Sequence, residues 1–324
     1  MVGGWTEGWR NGAGRPCRVV GRIGWVGIAT GLLVIGCGPE PPDEVRDLPQ
    51  AAGAEIEGVT PVPEGLLVRA GHPIERVAVG PDGLRVYGAI RDGAGPGPRL
   101  VEWVWHEEMQ HWMGPDALHF SDGSESDTAV AIAPDGSYLL FASSRPVDLV
   151  GAGDMNIWLS QWREDDDGAG WSDPWLLPTV HSPAWDGGPS LAMNGNLYFA
   201  SERDAPTSGR NLFLAELEGG NWMSPRALPS PVNSDFDEID PWIAPDESFI
   251  LFASNREGAF DLYASYADGV GGWTEPQRFV ELITTEADER APVLSLGGQV
   301  LFFVRDDGEL WWSRSGSSGV EPPE

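Results

Sequence analysis

The chain is 324 residues long and carries 50 acidic against 20 basic side chains, a formal charge of −30, and every basic residue is an arginine. A body this acidic repels phosphate backbones and anionic lipid surfaces, which argues against nucleic acid as a partner. The absence of lysine excludes Schiff-base chemistry and any P-loop that needs a lysine.

Residues 1–36 read as an export signal rather than as part of a fold. Arg10, Arg15, Arg18 and Arg22 precede an apolar run of 13 residues from Ile23 to Ile35, too short to span a bilayer comfortably. The run closes on Val34-Ile35-Gly36-Cys37, and a cysteine at the expected cleavage point resembles a bacterial lipobox. Processing there leaves Cys37 as an N-terminus bearing acyl chains, an anchor that one chain alone does not give. Gly38 is not the aspartate that retains lipoproteins in the inner membrane. The expected address is therefore the outer membrane, facing the periplasm or the cell surface. Removing the leader takes four Arg and one Glu and leaves a charge of −33. Cys17 leaves with it and Cys37 is consumed, so no thiol remains for a disulfide, a metal or catalysis. Residues 37–58, acidic and rich in proline, read as a flexible tether.

From residue 59 to 316 the chain reads as all-β. Turns of the Pro-Asp-Gly kind fall at Pro81, Pro134, Met193, Pro245 and Leu296, with spacings of 53, 59, 52 and 51. Such a period marks stacked units, because one unit cannot bury its apolar face alone. Each unit shows four strand signals in one order. One precedes the turn, as in Val130-Ala131-Ile132-Ala133. One follows it, as in Leu139-Leu140-Phe141-Ala142-Ser143. A polar residue then precedes an apolar pair, as in Asn156-Ile157-Trp158. The fourth begins with tryptophan and a proline three further on: Trp112/Pro115, Trp171/Pro174, Trp222/Pro225 and Trp273/Pro276. Short β-branched or aromatic runs bounded by Gly, Pro, Asp and Asn are strands and turns. The fifth unit lacks its Trp-Pro strand. Pro63, 18 residues before Pro81, stands where that proline belongs, so a strand within residues 59–68 is expected to complete the last unit and remove the raw edge. The expectation is a β-propeller of five four-stranded blades closed by an N-terminal strand, followed by a disordered tail at 317–324.

The segment from Asp235 to Asp246, with Leu251-Phe252-Ala253-Ser254-Asn255-Arg256 and Asp261-Leu262-Tyr263, is similar to the PD40 repeat, the WD40-like propeller unit of the TolB-like family. The resemblance covers residues 71–315 and implies a propeller of the kind found in many bacterial envelope proteins.

Three patterns bear on chemistry. His106 and His111 are five apart between strand signals, where an odd separation sends side chains to opposite faces; a metalloprotease helix needs a separation of four, and a solvated hairpin is expected instead. The run Glu164-Asp165-Asp166-Asp167-Gly168 lacks the alternate acids and closing glutamate of a calcium loop and reads as an acidic hairpin tip, with weak calcium binding left open. The most regular pattern is an acid three residues before each first strand, at Asp127, Asp186, Glu238 and Glu289, repeated with Arg91, Arg145, Arg203 and Arg256 after the second. Either acid and arginine pair and lock the blades, or the acids line a channel mouth that binds a cation or a basic partner. No Gly-x-Ser-x-Gly elbow is present. The expected function is non-catalytic binding of an envelope protein or glycan, without a cofactor. The alternative is a channel-sited glycoside or lactone hydrolase using Asp/Glu, with or without calcium.

Overall fold

The computed structural model describes residues 9–10, 16–17, 59–62, 66–67 and 72–314, apart from 94, 96, 148–154, 166–167, 205–208, 280–285, 296–297, 299 and 307. Two units separate, Met1–Pro41 and Pro42–Glu324. In the first, β1 (Trp9–Arg10) pairs antiparallel with β2 (Pro16–Cys17). The rest of the expected leader, Cys37, the tether and the 317–324 tail lie outside the described residues.

The second unit consists of β-strands alone among the described residues, arranged as five antiparallel sheets of at least four strands. Its first strand is β3 (Val59–Pro61). Blade 1 holds β4 (Ile74–Val79), β5 (Arg85–Ile90), β6 (Arg99–His106) and β7 (His111–Ala117). Blade 2 holds β8 (Asp127–Ile132), β9 (Tyr138–Ser143), β10 (Asn156–Asp165), β11 (Gly168–Trp171) and β12 (Trp175–Leu176). Blade 3 holds β13 (Asp186–Leu191), β14 (Leu197–Ser201), β15 (Asn211–Ala215) and β18 (Arg226–Ala227), with a small ribbon of β16 (Leu217–Glu218) and β17 (Asn221–Trp222). Blade 4 holds β19 (Glu238–Ile243), β20 (Phe249–Ser254), β21 (Asp261–Tyr266) and β22 (Gln277–Arg278). Blade 5 holds β23 (Glu289–Leu294), β24 (Val300–Arg305) and β25 (Glu309–Arg314), and β3 pairs with β25 to complete it. The first strands β4, β8, β13, β19 and β23 stand side by side around the centre, and β23 returns to β4.

Closure rests on Thr60 opposite Trp312 and Val59 opposite Ser313. The Val62 amide donates to the Leu310 carbonyl at 2.9 Å, and Trp312 Nε1 donates to Thr60 Oγ1 at 3.2 Å. Val62, Leu66 and Leu67 are buried in the cluster that joins blade 5 to blade 1.

The continuous apolar runs of the second strands follow from burial on both faces. Neighbouring residues of a strand point to opposite sides. In β9, Leu139 and Phe141 pack towards blade 1, while Leu140 packs towards blade 3. In β20, Ile250 and Phe252 face blade 3, and Leu251 and Ala253 face blade 5. Burying one such leucine or phenylalanine contributes on the order of 2 kcal/mol, and each interblade cluster contains several.

The repeated turns have one geometry. The third residue donates its amide to the carbonyl three residues back, from Gly83, Gly136, Gly195, Glu247 and Gly298, at 2.7–3.0 Å. All five have positive φ, between 58° and 86°. Four are glycines, which adopt this region without strain. Glu247 is the exception, and blade 3 holds it: its carboxylate accepts from Asn194 Nδ2 at 2.7 Å, Asn196 Nδ2 at 2.9 Å and Tyr198 Oη at 2.8 Å.

In blades 2 to 4 the Trp-x-x-Pro signal marks a divided outer strand, whereas in blade 1 Trp112 and Pro115 lie within the single strand β7. In blade 2 the Trp171 segment pairs with the far half of β10, and after Pro174 only two residues, β12, pair with its near half. Blades 3 and 4 show the same division. Proline has no amide to donate, so the ladder breaks there.

Candidate functional site

The four repeated acids are the first residues of the inner strands, and all are buried. In blade 2, Asp127 accepts from Ser121 Oγ at 2.5 Å and Ser143 Oγ at 2.6 Å. Arg145 closes on it with both nitrogens, Nη1 to Oδ1 at 2.8 Å and Nη2 to Oδ2 at 2.9 Å. In blade 3, Asp186 accepts from the Ser182 amide at 2.9 Å, Ser182 Oγ at 2.8 Å, Ser201 Oγ at 2.6 Å and Arg203 Nη2 at 2.7 Å. In blade 4, Glu238 accepts from the Ser234 amide and Ser254 Oγ, both at 3.0 Å, from Ser234 Oγ at 2.5 Å and from Arg256 Nη2 at 3.0 Å. Arg203 and Arg256 also reach back to the carbonyls of Val180 and Val232, each at 2.7 Å. Burial pushes the Asp127 carboxyl above its ordinary range, against the opposing pull of Ser121, Ser143 and Arg145.

Each arginine lies over a pair of neighbouring aromatic rings. Arg145 sits 5.0 Å from Phe141 and 5.8 Å from Trp158; Arg203 sits 5.0 Å from both Phe199 and Phe213; Arg256 sits 5.4 Å from Phe252 and 4.9 Å from Tyr263. The rings belong to the second and third strands at directly opposed positions. Stacking and a carboxylate together hold a guanidinium that has lost most of its water.

Blade 5 builds the clamp differently. Glu289 is bound by Arg305 Nε at 3.0 Å, and Arg305 takes the strand position that serine holds elsewhere, with Phe303 and Trp311 around it. Arg305 escapes a search for an arginine two residues past a serine. Its spacing from the acid, 16 residues as in Asp127 to Ser143, is the signal that identifies it. Blade 1 lacks the clamp: Ile74 pairs with Ile90 where acid and serine stand elsewhere, and Gly88 and Val101 replace the two rings. Arg91 is exposed and meets Glu75 at 3.0 Å, and so differs in environment from Arg145, Arg203 and Arg256. Here the charges are exchanged, with Asp92 accepting from Arg99 Nε at 2.9 Å.

His106 and His111 face each other across the β6–β7 hairpin, on one side rather than two, because the chain turns between them. Among the described residues no group of three or more His, Cys, Asp or Glu is arranged to hold a metal. Asp166 and Asp167 of the acidic run lie outside the described residues.

The centre of the ring carries a residue that the repeat pattern does not single out. Arg76, on β4, is 1% exposed and crosses the channel to donate from Nη2 to the Pro241 carbonyl of blade 4 at 2.9 Å. The matching residues of the other inner strands, two past the first, are Ala129, Gly188, Asp240 and Ala291. All four have positive φ, between 50° and 59°, at a β-bulge, which is the device that re-aims a side chain on a strand. A cavity of about 40 Å³ adjoins Arg76, lined by Ser190 and by apolar residues including Val77, Ile132, Trp242 and Val293. Only an alignment of the inner strands by position would have drawn attention to Arg76 from sequence.

The sheet order and the circular adjacency of the inner strands decide the architecture. This chain is a five-bladed β-propeller. Similar solved structures include a TolB from Agrobacterium tumefaciens (17% identity, TM-score 0.46, covering 72% of this chain and 70% of that one). They also include the TolB of Acinetobacter baumannii (15%, 0.44, 75% and 54%), of whose length the propeller thus spans about half. A thermostable family-43 glycoside hydrolase is similar at 12% identity and TM-score 0.50, over 76% of this chain and 90% of that one. At these identities the likeness concerns fold alone. No family model matches the sequence, and no curated protein matches it either.

Proposed function

We propose that this chain is a non-catalytic, lipid-anchored propeller of the bacterial outer membrane that binds a protein or glycan of the cell envelope through one face of its ring. What carries this reading is the fate of the repeated acids. A general acid and base must reach substrate, whereas Asp127, Asp186 and Glu238 are buried and occupied by serine and arginine donors. The side chains that line the channel cavity are apolar apart from Arg76 and Ser190. The leader ending at Cys37 supports the anchored, exported location, and the acidic composition supports display without self-association.

The test sets the purified protein against isolated envelope proteins and peptidoglycan and lipopolysaccharide fragments in a binding assay. In parallel, a panel of aryl glycosides and lactones is assayed for turnover. Saturable binding of one envelope component without turnover is the expected outcome. Hydrolysis of a glycoside or lactone that disappears on substituting a single carboxylate would overturn the reading in favour of the hydrolase.

A further inference from the structure

We propose that the end of the channel bounded by Arg76 binds a small monocarboxylate. The guanidinium is buried, and its one hydrogen bond runs from Nη2 to Pro241. Nε and Nη1 have no hydrogen-bond partner. Asp240 Oδ1 stands 3.8 Å from Nη1, too far for a hydrogen bond, and Asp240 is partly exposed. Buried donors without acceptors are costly, and a guanidinium offers donors only, so whatever completes this site must accept hydrogen bonds.

The cavity beside Arg76 defines the size and character of that acceptor. At about 40 Å³, room for roughly three waters, it accommodates a group of a few heavy atoms. Ser190 adds a hydroxyl, whose oxygen already accepts from the Ile243 amide at 3.0 Å and whose proton remains to be donated. The remaining walls, Val77, Ile132, Trp242 and Val293, are apolar. Water or a halide would satisfy the donors but leave those walls without a partner. A short carboxylate satisfies both, with oxygens on the guanidinium and an alkyl body against Trp242. Among the described residues Asp240 is the one carboxylate within ion-pair range of Arg76, and it competes with any anion for Nη1.

The site is independent of the envelope partner proposed above and is tested separately. The purified full chain is titrated with ¹³C-labelled formate, acetate and propionate at constant ionic strength, and binding is read from the ligand NMR line widths. Saturable binding is expected, with propionate tighter than formate because of its larger apolar body. Arg76→Met, which keeps the length and removes the charge, is expected to abolish it. Should Arg76→Met fail to fold, Asp240→Asn carries the test, since asparagine tolerates the positive φ of that residue. Removing the competing carboxylate is expected to tighten acetate binding on the order of tenfold. Absence of saturable binding to the wild type, chloride competing as strongly as acetate, or an Asp240→Asn affinity equal to or weaker than wild type would each overturn the proposal.

Discussion

The clamp of blade 3 yields the sharpest stability prediction. Asp186→Ala removes the acceptor of four hydrogen bonds, from the Ser182 amide, Ser182 Oγ, Ser201 Oγ and Arg203 Nη2. The serine hydroxyls turn to other acceptors in part, so the neutral donors account for about 1 to 2 kcal/mol. Arg203 is the larger loss: its side chain is 17% exposed and keeps the Val180 carbonyl and two stacked rings, but no counter-charge, which costs about 2 to 3 kcal/mol. The expected destabilisation is about 3 to 5 kcal/mol, or roughly 6 to 20 °C in Tm for a domain of this size. Urea unfolding followed by tryptophan fluorescence measures it, with the m-value checked for constancy. Adding Arg203→Met should recover part of the loss, because the pair then leaves together. A loss below about 1 kcal/mol, or a double variant as costly as the sum of the singles, would refute the reasoning. Millimolar calcium should move neither protein, and calcium-dependent stabilisation of the wild type alone would place Asp186 in a cation site.

Deleting residues 37–70 removes β3, Leu66 and Leu67 and should lower Tm or cause aggregation, whereas deleting 38–55 should leave Tm unchanged; equal stability would show that β3 does not hold the ring closed. Cys37→Ser should abolish acylation and signal-peptide processing, and globomycin-insensitive processing of the wild type would remove the lipoprotein assignment. Burial, and then Glu247 beside it, hold the Tyr198 phenol above its ordinary value of 10.0. The folded state therefore keeps a proton that the unfolded chain releases, so this contribution is intact below about pH 10 and is lost as pH rises beyond it. Tyr198→Phe should flatten the decline in urea midpoint between pH 9 and 11, and an unchanged slope would assign that decline elsewhere.

The architecture was legible because the second strand of each blade is buried on both sides and so writes a continuous apolar run. Leu139-Leu140-Phe141 and Ile250-Leu251-Phe252 repeat that signature, and the turns before them fix the phase. The proline count that placed a strand near Pro63 located the closing segment for the same reason. The clamps were half legible. Acid and arginine recur at fixed spacing, yet Ser143, Ser201 and Ser254 read only as strand ends, and Arg305 stands out of phase with the other arginines. Blade 1 obscured the pattern further: Arg91 falls one residue from the matching position, which Asp92 occupies, with Arg99 across from it. His106 and His111 show the limit of parity, since alternation applies along a strand and not around a hairpin turn. Arg76 was legible only as an odd residue among the aligned inner strands, because its meaning comes from facing Pro241 and Asp240 across the ring, 165 and 164 positions away in sequence.

The closing strand also dictates an order of events in time. Thr60 meets Trp312 across 252 positions of chain. Joining those points early in a flexible chain carries a loop-closure cost of about 5 kcal/mol, and almost none once five blades bring the ends together. Synthesis runs from the N-terminus, so β3 emerges first of the propeller strands and waits longest, while β25 emerges last of them and finds its neighbour already present. The ring is therefore completed in one late step, which joins the first strand of the propeller to its last.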